Sequence, residues 1–488
     1  MYSRRRGKVM SIDEIVADAL KLVKPDRAEE AEVEALSKMI LDKVEELITS
    51  EGVEAEARIL GSIAKGTWLK KDYDIDVFIL YPPSIGREIL TDLSIRIGVR
   101  VFDDLGGRWI LRYAEHPYVE GWIKGVRVNI VPACRSKPGS WVTAVDRTPY
   151  HTDYVRRMLP SDEIRDQVRL LKKFMKSIGV YGADVKVGGF SGYLCELLII
   201  RFRSFIDTLR SASKGWIGLF IDLEGYYRDV EAARKIFGDH PLIVIDPIDP
   251  RRNVASPVSL TKLSEFTAAS KLFLDKPSIE FFNPPKIRFD IDLIREAIER
   301  RESTLLALVF DEPAIPPDTL WGEIYRSLKA FVNIIEKWEF KIIRSSAWSG
   351  DGFTAFIVEL ESGILPRVKL HRGPPVDSPE VSRFLEKYMR GGDRVSGPWI
   401  DGDRWYVARR RRYTDVYSLL EDLSRSDLPS HGFSKDIAAS IARGFKIYMG
   451  IDLLELAERS KGFSEHLYDI LDGRPRWLRF GCIEDTSR

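Results

Sequence analysis

The stretch 61–80 holds two sets of groups that could do chemistry together, Gly61-Ser62 and Asp74-Ile75-Asp76. Side chains alternate along a strand, so Asp74 and Asp76 share one face while Ile75, Val77 and Ile79 point into a core. Two carboxylates on one face repel, and a divalent cation relieves the repulsion. Magnesium, a hard ion, takes oxygen ligands and substrate phosphates. A Gly-Ser turn opening a helix offers backbone N–H groups and a hydroxyl to an anion. One half of the stretch could therefore hold a triphosphate and the other half its metal. Standing alone, Asp-x-Asp is ordinarily a solvated strand edge. The order Gly-Ser, Asp-x-Asp, then Val77-Phe78-Ile79-Leu80 is what points to a site.

The surrounding elements must position these groups. Residues 55–60 read as a strand, followed by a short helix and a second strand that Pro82-Pro83 breaks. Upstream, Ser11-Ile12-Asp13-Glu14 is a capping box. A helix after Pro25 runs to about Ser50, with Ala35, Met39, Leu41, Val44 and Leu47 at helical spacing. Downstream come a helix over 87–99 and strands over 109–113, 118–123 and 126–131, the last two a hairpin about Lys124-Gly125. Alternation puts Asn129 on the face where a neighbouring strand could add a third ligand beside Asp74 and Asp76. A two-residue turn sets Glu120 directly across from Asn129, although Glu120 reads more simply as a solvated strand residue.

Further on, Ser161-Asp162-Glu163 opens a helix with an apolar stripe of Ile164, Val168, Leu171, Met175 and Ile178, with Lys172 and Lys173 beside it. A glycine-rich loop, 188–192, leads into a helix over 193–209. A strand over 243–247 and a helix over 259–274 follow. From Leu305 the order is strand, helix, strand, strand, as in a ferredoxin-like or RNA-binding sandwich. Within Arg404–Tyr413 aromatics alternate with arginines, a composition suited to stacking on bases and gripping phosphates. Trp405, Arg409, Arg410, Arg411 and Arg412 are the candidate RNA contacts, and the alternative is a cationic solvated strand.

The totals set limits. A chain of 488 residues holds about two to four domains. The net charge of +1 excludes a globally basic protein, so any nucleic-acid surface is a local patch. Cys134, Cys195 and Cys482 lie far apart and the histidines have no zinc spacing. This argues for a reducing, cytoplasmic setting without disulfides or structural zinc. There is no signal peptide and no apolar run of membrane-spanning length, so no membrane partner is expected. The basic start, residues 1–8, reads as a frayed arm or as one that touches RNA. Gln167 is the only glutamine, and Asn129, Asn253, Asn283 and Asn333 are the only asparagines. Scarce amides with high charge are a thermophile pattern.

The Gly-Ser and Asp-x-Asp order resembles the nucleotidyltransferase superfamily with a polymerase-β-like head. Four further segments extend the likeness: Ala144–His151, Val180–Ala183 with Gly189–Leu197, Asp246-Pro247 with Arg252–Ala255, and Asp401–Tyr406. By these motifs the chain resembles the archaeal, class I CCA-adding enzymes. The resemblance is closest over residues 50–270 and looser beyond. It implies an α+β multidomain protein: a polymerase-β-like nucleotidyltransferase head (1–157), a helical neck with a nucleobase pocket (158–278), and an α/β body with an RNA-binding tail (279–488). It implies template-independent addition of C, C and A to the tRNA 3′ end from CTP and ATP, with two Mg2+ ions, in-line attack on the α-phosphorus and loss of pyrophosphate. The tRNA acceptor stem is the implied partner, and a homodimer is compatible with it.

Carried over by residue, Gly61, Ser62 and Lys65 would hold the triphosphate, and Asp74 and Asp76 the metal. His151, Lys172 and Tyr181 would contact phosphates or ribose, and Arg252 would read the base. Without the resemblance, Lys172 reads as a solvated helix face and His151 and Tyr181 as ordinary packing or a polar cap. Lys65 stands where the family often has arginine; it keeps the charge and loses the bidentate fork. The family's third carboxylate is an aspartate where this chain has Asn129, a neutral and weaker ligand. An Asp→Asn replacement made to trap a complex, a natural variant, or compensation by Glu120 would each account for it. The expectation is that nucleotide binding survives and the chemical step is impaired. Two rival readings are a catalytically silent RNA-binding paralogue and a poly(A)-type nucleotidyltransferase.

Overall fold

A computed structural model describes residues 10–112, 117–285 and 290–479; the basic start and Cys482 lie outside them. The chain divides into two compact units, one of residues 1–286 with 474–488 and one of residues 287–473.

The first unit opens with α1 (Ile12–Val23) and α2 (Arg27–Ser50), then β1 (Glu56–Leu60), α3 (Gly61–Lys65), β2 (Asp74–Tyr81) and α4 (Arg87–Asp104). It continues with β3 (Arg108–Arg112), β4 (Tyr118–Ile123) and β5 (Val126–Cys134). The Ser11 capping box forms as expected. The strand order is β1-β2-β5-β4-β3. β2 and β5 run parallel, and the other neighbours are antiparallel. Ile75, Val77, Ile79 and Tyr81 pack with Val128, Ile130 and Val119 against α2 and α4. The opposite face carries the even-numbered positions of β2, Asp74 and Asp76 among them. Lys124 and Gly125 both have positive φ (49° and 81°), the requirement of a tight two-residue hairpin.

α5 (Thr148–Met158), α6 (Asp162–Ser177), α7 (Gly192–Phe202) and α8 (Phe205–Ala212) come next. A small parallel pair, β6 (Leu219–Ile221) and β7 (Leu242–Val244), brackets α9 (Val230–Phe237), and α10 (Leu260–Asp275) follows. Their core surrounds Phe174, whose ring meets Phe205, Phe266, Phe273, Phe281 and Phe282. The single helix expected over 193–209 is two helices. Arg203 takes a left-handed φ of 72°, and Ser204 then caps α8 by accepting from Asp207 N–H.

The second unit begins with α11 (Ile291–Glu299), β8 (Thr304–Asp311), α12 (Pro317–Lys337), β9 (Ile342–Gly350) and β10 (Phe353–Leu360). Next are β11 (Val368–Pro375), α13 (Val381–Arg390), β12 (Arg394–Asp401) and β13 (Arg404–Arg410). The unit ends with α14 (Val416–Ser424), α15 (Lys435–Arg443), β14 (Phe445–Met449), α16 (Leu453–Arg459) and α17 (Lys461–Asp472). Its antiparallel sheet has the order β14-β8-β10-β9, the interleaving of a ferredoxin-like sandwich. The likeness to an RNA-binding sandwich stops there. Such domains stack bases on an open sheet face, whereas both faces here are covered. Leu306, Leu308 and Phe310 pack on α12, α14 and α15. Leu305, Ala307 and Val309 pack on α11, α16 and α17. Every residue of β10 is buried, which reflects that double cover.

Gly121, on β4, lies against Arg108 O and the Phe102 ring; a Cβ there would come within 2.2 and 2.5 Å of them. Gly121→Ala should lower the stability of the first unit by about 2–3 kcal/mol, read as a shifted urea midpoint at unchanged slope.

Candidate active site

The parallel pairing of β2 with β5 sets Asp74 beside Arg127 and Asp76 beside Asn129. The β4–β5 hairpin sets Glu120 on the other side of Asn129. Asp76, Asn129 and Glu120 thus form one row across three strands, as the alternation predicted. Asn129 Nδ2 donates to Asp76 Oδ1 at 2.8 Å, while Asn129 Oδ1 is buried without a hydrogen-bond partner. Burial raises the Asp76 carboxyl to about 6 against the smaller, opposing effect of the Asn129 hydrogen bond. Gly61, at φ 69°, could not be another residue: a Cβ would sit 2.2 Å from Asp76 Oδ2. Asp74 is bound on both oxygens by the Arg127 guanidinium.

Glu120 is not a solvated strand residue. It is 4% exposed, because β3 extends the sheet beyond β4, and Arg112 Nε and Nη2 donate to its Oε1 at 3.2 and 2.8 Å. The donors fit a divalent cation held by Asp74 and Asp76. Both are hard oxygen ligands, Asp76 is a half-buried carboxylate short of compensating charge, and Asn129 brings an unused amide oxygen. Among the described residues no cluster of three or more acidic, histidine or cysteine side chains has the geometry of a metal site. The third position is an amide and nothing else.

The phosphate-side candidates converge on a residue that sequence reasoning missed. Glu196, on α7, accepts from Lys65 Nζ at 2.8 Å, from Lys172 Nζ at 3.1 Å and from Thr67 Oγ1 at 2.6 Å. All four side chains are buried, so Lys172 does not lie on a solvated helix face. Burial alone would raise Glu196, but the two ammonium groups overcome it and hold the carboxyl down at about 2. Complete burial drives Lys172 down. Tyr181 lies in the same pocket, and a Cβ on Gly192 would come 2.8 Å from its hydroxyl. The signal for Glu196 was available: a single acid inside Leu194–Ile200, otherwise apolar, is tolerated only when paired.

A second hub is Asp246, which the sequence placed in a family-like segment without a role of its own. His151 Nε2 lies 2.8 Å from its Oδ2, Arg252 Nη1 donates to the same oxygen at 2.8 Å, and Tyr193 Oη donates to Oδ1 at 3.1 Å. Burial lowers His151, so the ring is neutral at physiological pH and its Nε2 carries the proton facing the carboxylate. The Tyr193 ring stacks on His151 at 4.1 Å and lies 5.1 Å from Lys65 Nζ. Tyr193 thereby joins the two hubs. Ser62 is half-buried at the start of α3.

Three family matches span most of the chain. Residues 37–151 match the nucleotidyltransferase domain. Residues 166–283 match the second domain of tRNA nucleotidyltransferase, and residues 301–450 the C-terminal domain of CCA-adding enzyme. A CCA-adding enzyme of Methanothermobacter thermautotrophicus is 38% identical over 91% of this chain and 95% of its own length. The chain belongs to the CCA-adding enzyme family. The CCA-adding enzyme of Pyrobaculum neutrophilum is 40% identical over 83% of this chain and 92% of its own. That of Methanopyrus kandleri is 33% identical over 96% and 98%.

In this CCA-adding enzyme the candidate RNA contacts do not act as one surface. β13 is the middle strand of a separate sheet, β11-β13-β12. Trp405 packs with Phe384, Tyr388 and Val407 under α13. Arg409 Nη1 donates to Tyr388 Oη at 3.1 Å, and its Nε lies 3.3 Å from Asp393. Arg411 is paired with Glu339. Arg410 and Arg412 are exposed, Arg412 lying over the Tyr413 ring at 5.1 Å. Strand alternation turns half of the motif into packing and leaves these two for solvent. No helix among the described residues is long and apolar enough to cross a membrane.

Glu196→Gln should cost about 3–5 kcal/mol at pH 7, since it leaves two buried ammonium groups on a neutral amide. With a folded value of about 2 against 4.5 unfolded, the stabilisation is full above pH 4.5 and is lost as pH falls toward 2. Urea midpoints of the two chains should therefore converge across that window.

Proposed function

We propose that Asp74, Asp76 and Asn129, with Gly61, Ser62, Lys65, His151, Lys172, Tyr181 and Arg252, form the site at which this CCA-adding enzyme adds C, C and A to the tRNA 3′ end from CTP and ATP. The observation that carries the reading is the linked arrangement within one unit: Asp74 and Asp76 on β2 with Asn129 beside them on β5, and a buried pair of lysines on α3 and α6. On this reading the head spans 1–157, the neck 158–278 and the body with its tail 279–488. The setting is cytoplasmic, and a homodimer is compatible with this reading.

The residues have separable tasks. Lys65 and Lys172 share one glutamate, and the N–H donors that Lys65 does not spend on it can meet a triphosphate. Gly61 lets the backbone approach Asp76 closely. Asp246 fixes the guanidinium of Arg252, leaving its outer edge to meet a base. Neutral His151 donates and accepts hydrogen bonds without competing for phosphate charge. A Mg2+ bound at Asp74 and Asp76 would supply neutralisation of the triphosphate and of the leaving pyrophosphate. Asn129 can offer that ion an oxygen but no charge, so the step that needs the 3′ hydroxyl deprotonated is the one weakened. The amide also favours one second reading, an RNA-binding paralogue that holds nucleotide and releases no pyrophosphate.

Nucleotide addition to tRNA lacking its 3′ end separates these. Asn129→Asp should raise the rate of addition with CTP, ATP and magnesium at least about tenfold while leaving nucleotide affinity nearly unchanged. Equal rates would remove Asn129 from the ligand set, and no addition by either chain would remove the activity. For the tRNA surface, Arg410→Ala and Arg412→Ala should each weaken tRNA binding and reduce its salt slope by about 1. Arg411→Ala should act mainly on stability, with the slope unchanged.

A further inference from the structure

Asp74, proposed above as a cation ligand, has both oxygens engaged by Arg127, its register neighbour on β5. Nε donates to Oδ1 at 2.6 Å and Nη2 donates to Oδ2. This is the bidentate fork that guanidinium makes on carboxylates. A cation that takes Asp74 as ligand has to displace at least one of the two contacts. It also becomes a like-charged neighbour of the guanidinium, and the repulsion acts along the sheet, away from β2.

A second acid lies in that direction. Glu120, diagonal to Arg127 on β4, has Oε1 held by Arg112. Its other oxygen, Oε2, stands 3.9 Å from Arg127 Nη1. Closing that gap to hydrogen-bond distance takes a movement of about 1 Å, within reach of a side chain that is 45% exposed. The acids that act on Arg127 are Asp74, Glu120 and Asp76, and Arg112 is the arginine beside it. Transfer of the guanidinium from Asp74 to Glu120 therefore leaves each acid with a cationic partner once a cation is bound.

We infer that Arg127 is a positioning residue that moves between two acids, pairing with Asp74 before a divalent cation binds and with Glu120 afterwards. Glu120 then serves as the second partner of the guanidinium and not as a substitute ligand for the aspartate that the family carries at position 129. The inference rests on Asp74 and Asp76 being the cation ligands, and its test must separate the two claims.

Manganese binding to the full chain, followed by the loss of the free-ion electron paramagnetic resonance signal, does so without reference to activity. Arg127→Gln should tighten manganese binding about fivefold, the scale of a half-exposed ion pair removed as competitor. Arg127→Lys, which keeps charge but loses the fork, should fall between and guards against a folding defect in the glutamine variant. Glu120→Gln should weaken binding by a similar factor in the native background and by less than about twofold in the Arg127→Gln background, because its effect passes through the guanidinium. Unchanged or weaker binding by Arg127→Gln overturns the inference. Equal weakening by Glu120→Gln in both backgrounds makes Glu120 a direct ligand and also overturns it. Asp76→Asn should abolish binding throughout. Manganese binding that Asp76→Asn leaves intact, or its absence from every variant, overturns the cation site itself, and the inference with it.

Discussion

The buried carboxylate of Glu196 is the interaction on which the first unit depends. It gathers Lys65 from α3, Thr67 from the turn that follows and Lys172 from α6 onto α7. The sheet-bearing and helical parts of that unit are thereby tied by charge as well as by apolar packing. A carboxylate so deeply buried would be intolerable alone, and two lysines so deeply buried would be worse. Together they satisfy one another and are locked in place before any ligand arrives. The proposed triphosphate pocket is therefore preorganised by the same interaction that holds the fold.

The acidic face follows a different logic. Its geometry comes from strand register, with β2 and β5 parallel so that Asp76 meets Asn129, and a tight Lys124-Gly125 turn so that Asn129 meets Glu120. Alternation makes the opposite face apolar, and α2 and α4 bury it. A one-residue slip would exchange the two faces, so core packing enforces the register that lines up the polar row. Within that row an amide next to a half-buried carboxylate is stable by itself: Asn129 donates to Asp76 where an aspartate would repel it. The amide that favours the protein without its ion brings no charge for the ion to use.

In the second unit the ferredoxin-like sheet is enclosed on both sides. Any RNA surface has to come from the edges or from the separate β11-β13-β12 sheet. There the arginine-rich strand is divided by its own alternation, and α13 takes Trp405 and Arg409 for packing.

Much of this was legible from residues alone. The capping box at Ser11, the Gly61-Ser62 turn, the shared face of Asp74 and Asp76, and Glu120 opposite Asn129 all follow from local periodicity and turn chemistry, which act over a few residues. The β-α-β-β order from Leu305 was legible for the same reason. Other features were decided only by tertiary structure. The break at Arg203, the burial of Glu120 beneath β3 and Arg112, the covering of the second sheet face, and the convergence of Lys65, Thr67 and Lys172 on Glu196 all join residues far apart in the chain. Spacing along a sequence sets which way a side chain points. Which charge meets it there depends on long-range packing, because the cost of burying a charge is decided by partners that arrive from other elements.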